Sequence, residues 1–362
     1  MNQPTRISTA QLVSLMTVSS VTLIIACNAS LLGGNDLTDN LLSCAIAFVG
    51  NFLLALPVFF LLRARPNSGL LLDAQRVGKW LLYCAAIFYI LYFLWIDLQY
   101  LSMFQFFLSN VFRPVTPAWI FTVMIVLAAV YSAFKGLDAM GRAAAVILTT
   151  VLLGLSLIAV LLLSDVKPDN FTPLLYHGPT QMLSGTAFYL SGGSCIALYA
   201  LLFPTASGNR NLGFCIWNLL TYAVAGAILA LIVGVLGTYA NLQLFPFYSA
   251  ATMANLGTFQ RMDSVFICIW IIGLFLKLAI DLHALSLCAN AILPKKVRAF
   301  TIPLFGLFIC AGTIFIVNNR TLLNLFLNPL LTAPFTIAAA ALFPLLSLIG
   351  NLIKDRRRKR HG

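Results

Sequence analysis

Apolar runs of roughly membrane-spanning length recur along the whole chain, separated by short segments in which Lys, Arg, Pro, Gly and Asn collect. A spanning helix needs ~20 mainly apolar residues. On that rule the pattern predicts ten spans, at about 9–31, 39–63, 80–110, 117–135, 142–164, 181–204, 213–240, 262–290, 298–317 and 322–352. The first run lacks a basic stretch before it and an A-x-A exit after it, so it is expected to remain as the first span.

The sixth run is interrupted. "YLSGGSCIALYALLFP" (189–204) carries Ser191, Gly192, Gly193 and Ser194 near its middle. Each glycine costs a helix about 1 kcal/mol relative to alanine, and hydrocarbon offers no water to satisfy freed backbone groups. Ten spans with a break in the sixth fit two five-helix halves of inverted topology. In such folds the first helix of each half is broken at the midplane and holds the substrate.

The counterpart in span one is "TVSSVTLIIACN" (17–28), where Ser19, Ser20 and Thr22 stand. Such hydroxyls bond back to helix carbonyls and bend a helix without breaking it. "SLLGGND" (30–36) lies at the end of the span and reads as a helix stop. The expected fold is an all-α polytopic membrane protein of about ten transmembrane helices, an inverted five-plus-five repeat with broken first and sixth helices. It forms one permease domain, 1–352, with repeat one about 9–164, repeat two about 181–352 and a basic cytoplasmic tail at 353–362.

Two readings of Ser191–Ser194 stand side by side: backbone groups offered to a ligand, or close helix packing through small residues. Under the first, an amino acid fits. Its carboxylate would meet N–H groups at the start of the inner half-helix, where the dipole is positive. Its ammonium would face span one.

Composition agrees with a membrane protein: 61% of residues are hydrophobic and 9% charged, against about 25% charged in soluble domains. The net charge of +12 does not point to nucleic acid, because the basic residues sit between apolar runs. They read as topology signals. With the N-terminus inside, 17 of the 22 Lys and Arg residues fall on the cytoplasmic side, and both termini are cytoplasmic. The final "KDRRRKR" reads as a stop-transfer anchor or as a contact with anionic membrane lipid.

The eight cysteines lie in apolar segments without a CxxC and read as small buried hydrophobes. No Ser/His/Asp set, metal-ligand spacing or phosphate-binding glycine loop is present. Enzyme activity, a metal and a cofactor are therefore not expected.

Ionisable residues deep in a span cost ~2.5–3.5 kcal/mol on insertion scales and are functional candidates. Asp97 lies in "FLWIDLQY" of span three, and Lys277 and Asp281 lie in "FLKLAIDLHAL" of span eight. The last two are spaced i, i+4, on one helical face. Lys277 either does the work of a bound cation or proton carrier beside the substrate, or forms a pair with Asp281 that neutralises itself. Asp97 reads as cavity-facing or structural, and His283 as a packing residue.

Several stretches resemble one family. "TFQRMDSVFICIWIIGLF" is similar to the start of the eighth span in spore germination permeases, the B subunits of endospore germinant receptors, through Arg261, Asp263, Ser264 and Trp270. "KGLDAMGR" (135–142) resembles the family's turn between spans four and five. "DNFTPLLYHG" (169–178) resembles its approach to span six, and "ISTAQL" and Phe203–Pro204 agree as well.

The family resembles the amino acid, polyamine and organocation transporter superfamily, which implies the inverted repeat. Membership implies a sensor of nutrient germinants, usually amino acids, in the inner membrane of a dormant spore, with an A-type membrane subunit and a C-type lipoprotein as partners. The chain departs from the family in span one, where Ser19, Ser20 and Thr22 replace glycines. It departs again after Gly192–Gly193–Ser194, where Cys195 and Ile196 stand in place of an acidic residue.

The resulting expectation is a ligand site built from Ser19, Ser20, Thr22, Asp97, Ser191, Gly192, Gly193, Ser194 and Lys277, with Lys277 and Asp281 as a coupling or charge pair. A proton-coupled secondary amino acid transporter is the alternative, since one fold serves both roles.

Overall fold

A backbone that crosses hydrocarbon must pair its own polar groups, which leaves helices as the solution for a chain this apolar. The computed structural model describes residues 7–25, 37–64, 68–112, 115–172, 178–191, 194–254 and 262–361. A short strand β1 (Ile7–Ser8) leads into α1 (Thr9–Ile25), α2 (Leu37–Ala64), α3 (Leu70–Val77), α4 (Lys79–Phe107), α5 (Ala118–Lys135) and α6 (Leu137–Leu162). Then come α7 (Pro179–Ser191), α8 (Ser194–Leu202), strand β2 (Ala206–Ser207), α9 (Arg210–Leu236), α10 (Pro246–Met253) and α11 (Asp263–Ile292). The chain closes with α12 (Thr301–Val317), α13 (Arg320–Leu327), α14 (Pro329–Ile337) and α15 (Phe343–His361).

Among the described residues, nine helical segments are long and apolar enough to cross a membrane, with α7 and α8 together forming one of them. The described part of α1, 17 residues, supplies the remaining apolar run. The chain is a multi-pass, all-α integral membrane protein.

Burial separates inner from outer helices. The apolar windows of α7–α8 and α11 are 86% and 72% buried within the protein, against 28%, 22% and 28% for α5, α6 and α12. From Leu15 to Thr22 every α1 side chain is buried as well. α1 packs on α6, α8, α9 and α11, and α11 packs on α4, α5, α6 and α12. The outer helices turn large apolar side chains outward at helical spacing, as with Ile46, Val49, Leu53, Leu56 and Phe60 on α2, a face suited to lipid.

Two devices hold α1 in the centre. At its start β1 pairs in parallel with β2, Ile7 opposite Ala206 and Ser8 opposite Ser207. Thr9 Oγ1 donates to the Ser207 carbonyl at 2.7 Å and Ser207 Oγ to the Ile7 carbonyl at 3.2 Å. Further along, Gly273 of α11 faces Thr22, where any Cβ would strike the Thr22 hydroxyl. A glycine there lets two central helices touch backbone to side chain.

The elements differ from the sequence pattern in three places. The expected run at 322–352 is divided: α13 ends at Leu327 and Pro329 opens α14, because proline and the residue before it do not continue a helix. Two short helices, α3 and α10, fill connections that showed no long apolar run. Of the cysteines, Cys44, Cys195 and Cys288 are buried, but Cys84, Cys215 and Cys268 are exposed. In a bilayer the outer face is apolar too, so an apolar residue type does not imply the protein interior.

The last span also carries a π turn at Ala338–Leu342. Tyr89 of α4 donates to the Ala339 carbonyl at 2.5 Å, so a backbone acceptor in the irregular turn is satisfied from a neighbouring helix.

Candidate ligand site

α1 is an unbroken helix through Ser19, Ser20 and Thr22, and the hydroxyls show why. Ser20 Oγ bonds to the Met16 carbonyl at 2.9 Å, and Thr22 Oγ1 to the Val18 carbonyl at 2.8 Å. With their hydrogens turned back onto the helix, both oxygens keep lone pairs for an incoming donor.

Ser20 uses this capacity. It accepts from Trp217 Nε1 of α9 at 3.1 Å, and it lies 3.1 Å from Cys195 Sγ in the first turn of α8. The Cys195 thiol also reaches the Met16 carbonyl at 3.4 Å. Ser20 therefore ties α1, α8 and α9 together.

The three ionisable residues meet between α4 and α11. Asp97 of α4 and Lys277 and Asp281 of α11 are each fully buried. Lys277 and Asp281 form an i, i+4 ion pair on one face of α11. The Lys277 ammonium also lies 5.2 Å from the centroid of the Tyr100 ring, one turn along α4 from Asp97, where the ring face attracts a cation. Asp97 interacts electrostatically with both Lys277 and Asp281.

The balance of charge is uneven. One ammonium faces two carboxyl groups that lie within hydrogen-bond reach of each other, and among the described residues no N–H or hydroxyl group donates to either oxygen of Asp97 or to Oδ1 of Asp281. Burying a charged acceptor without a partner is costly. The arrangement is ready for a further cationic or N–H-bearing group.

The structure thus brings Asp97, Lys277 and Asp281 into one cluster and places Thr22 against Gly273, one turn from Lys277 on α11. α7 ends at Ser191 and α8 starts at Ser194, with the expected interruption at Gly192–Gly193 lying between them and outside the described residues. The side chains of Ser191 and Ser194, Arg261, and the stretch 26–36 that follows α1 also lie outside the described residues.

Sequence reasoning did not single out Tyr100, Trp217 or Gly273, and it marked Cys195 only as a departure from the family. Tyr100 stands three residues after Asp97, and Gly273 four before Lys277. Helical spacing from the charged residues was the available signal for both.

A buried, charged core enclosed by apolar helical runs of membrane-spanning length defines a permease-type membrane protein. A family model described as "Spore germination protein" matches residues 6–321, and the chain belongs to this spore germination permease family. Spore germination protein KB of Bacillus subtilis (strain 168) is 26% identical over 301 residues, 79% of each chain. Spore germination protein YndE of the same organism is 23% identical over 229 residues, 61% of this chain and 62% of that one. The fold is similar to that of a Na+-coupled sialic acid symporter solved in a substrate-bound, outward-open state, with a TM-score of 0.60 at 14% identity over 92% of this chain and 78% of the other.

Proposed function

We propose that the protein is a germinant-receptor permease subunit that binds a small nutrient, an amino acid, in the core between α1, α4, α8 and α11. The observation that carries this reading is the Asp97 carboxyl group, fully buried against the Lys277–Asp281 pair with no N–H or hydroxyl donor on either of its oxygens among the described residues. An amino acid ammonium supplies the donors those oxygens lack. The acceptor oxygen of Thr22 adds to the same end of the ligand.

The ligand carboxylate would lie at the start of α8, where first-turn N–H groups and the helix dipole favour an anion. Ser191, Gly192, Gly193 and Ser194 surround that point in sequence. Lys277 would do the work of a bound cation, holding positive charge between α4 and α11. Residues 9–164 and 181–352 would be inverted repeats, each opening on a helix that lines the site.

Signalling would be a population shift, the ligand favouring one arrangement of α1 and α7–α8. An A-type membrane subunit and a C-type lipoprotein would read the change in the spore inner membrane, with both termini of this chain cytoplasmic. The paired charges of α11 also favour a second reading, proton-coupled amino acid transport. Purified protein in liposomes, screened for binding and uptake of labelled amino acids with and without an inward proton gradient, tests both. Saturable binding without accumulation supports the receptor, accumulation that follows the gradient supports the transporter, and no saturable binding contradicts both.

A further inference from the structure

A cavity lies away from this core, on the outer surface of the bundle between the C-terminal half of α2 and the start of α9. It measures about 760 Å³ and is walled by Phe52, Phe59 and Phe60 on one side and Cys215 on the other, with Arg63 and Arg210 at one end. This volume lies within the ~300–1,000 Å³ range of pockets that hold whole small molecules. Phe59 and Phe52 pack edge-on against buried Phe214 at 4.8 and 5.9 Å between centroids, so the aromatic wall is built into the fold.

The dimensions name the occupant. Phe52 to Arg63 spans eleven residues of helix, about 16 Å at 1.5 Å per residue, which is about half the ~30 Å hydrocarbon core. The groove is as deep as one leaflet. Its neighbouring surface, with Phe60, Leu212 and Ile216 exposed, is of the kind that meets acyl chains.

Its charged end is specific. Among the described residues lining the groove, two arginines are present and no acid. Arg210 is held in place: its Nε donates to the Ala206 carbonyl at 2.9 Å and its guanidinium lies 5.8 Å over the Phe203 ring. Arg63 stands in the last turn of α2, and Arg210 in the first turn of α9.

We propose that this groove binds one anionic phospholipid, its phosphate between Arg63 and Arg210 and an acyl chain along Phe52, Phe59 and Phe60. Guanidinium pairs suit phosphate oxygens, which they bind in bidentate fashion, and basic pockets between spans are the usual seats of anionic headgroups. Arg210 also grips β2, the strand that pairs with β1 just ahead of α1. Lipid occupancy would therefore stiffen the clamp between α1 and the end of α8.

The test uses the full-length protein purified in detergent and supplied with phosphatidylglycerol or phosphatidylcholine. Native mass spectrometry should show phosphatidylglycerol bound to the wild type, with at least tenfold weaker binding in Arg63→Gln/Arg210→Gln and no such difference for phosphatidylcholine. In the wild type, phosphatidylglycerol should slow maleimide labelling of Cys215 severalfold while leaving Cys268, exposed on α11, unchanged. Equal effects of the two lipids on Cys215, or phosphatidylglycerol binding that survives the double substitution, would overturn the proposal. Amino acid binding in the core does not enter either readout.

Discussion

Lys277 and Asp281 stand one helical turn apart on α11, paired with each other and without solvent contact. Removing one partner of such a pair leaves a bare buried charge and costs ~3–5 kcal/mol, whereas replacing both with apolar groups is often neutral. Lys277→Met should lower the thermal midpoint in detergent markedly, and Lys277→Met/Asp281→Leu should recover part of it, Asp97 remaining buried without its cation. Both variants should lose more than tenfold in ligand response. A double variant with wild-type stability and an unchanged dose curve would make the pair purely structural.

Gly273 and Thr22 set the distance between α11 and α1. In Gly273→Ala the new methyl meets the Thr22 hydroxyl, and overpacking of this kind costs ~1–3 kcal/mol. Thr22→Ala removes the obstructing oxygen. The double variant Gly273→Ala/Thr22→Ala should therefore be more stable than Gly273→Ala alone, as read by thermal unfolding. Additive losses would mean that the two residues do not meet.

Tyr89→Phe takes away the donor to the Ala339 carbonyl in the π turn. Leaving a buried acceptor unpaired costs about 1–3 kcal/mol. Tyr83, exposed on the outer face of the same helix, provides the control. Tyr89→Phe should lower the unfolding midpoint by several degrees while Tyr83→Phe leaves it within error.

Orientation can be read by labelling. Lys167 and Arg298 are both exposed, in different connections, and the positive-inside rule puts Lys167 outside and Arg298 in the cytoplasm. In a background stripped of native thiols, an impermeant maleimide added to intact cells should modify Lys167→Cys and spare Arg298→Cys. The reverse pattern would invert the topology.

Much of the fold was legible because hydrocarbon imposes one rule on every span, a run of apolar residues long enough to cross. Asp97, Lys277 and Asp281 stood out for the same reason, as exceptions to that rule. What the pattern could not show was which face of each helix points inward, since lipid and protein interior are both apolar. Cys215, exposed on α9, and Cys195, buried on α8, therefore looked alike. Nor could it reveal partners brought in from distant helices, such as Tyr89 with Ala339 or Trp217 with Ser20, or the division of the last apolar run by α13. The role of Ser20 and Thr22 as back-bonding hydroxyls was readable, because that bond is local to one helix turn.

The measurement that bears most directly on a nutrient site in the core is equilibrium binding of labelled amino acids to purified protein in liposomes, comparing the wild type with Asp97→Asn and with Lys277→Met/Asp281→Leu. The predicted result is saturable binding of at least one amino acid by the wild type, weakened at least tenfold in both variants, each variant still showing a cooperative unfolding transition. Undiminished binding in both folded variants would contradict a site at Asp97 and Lys277.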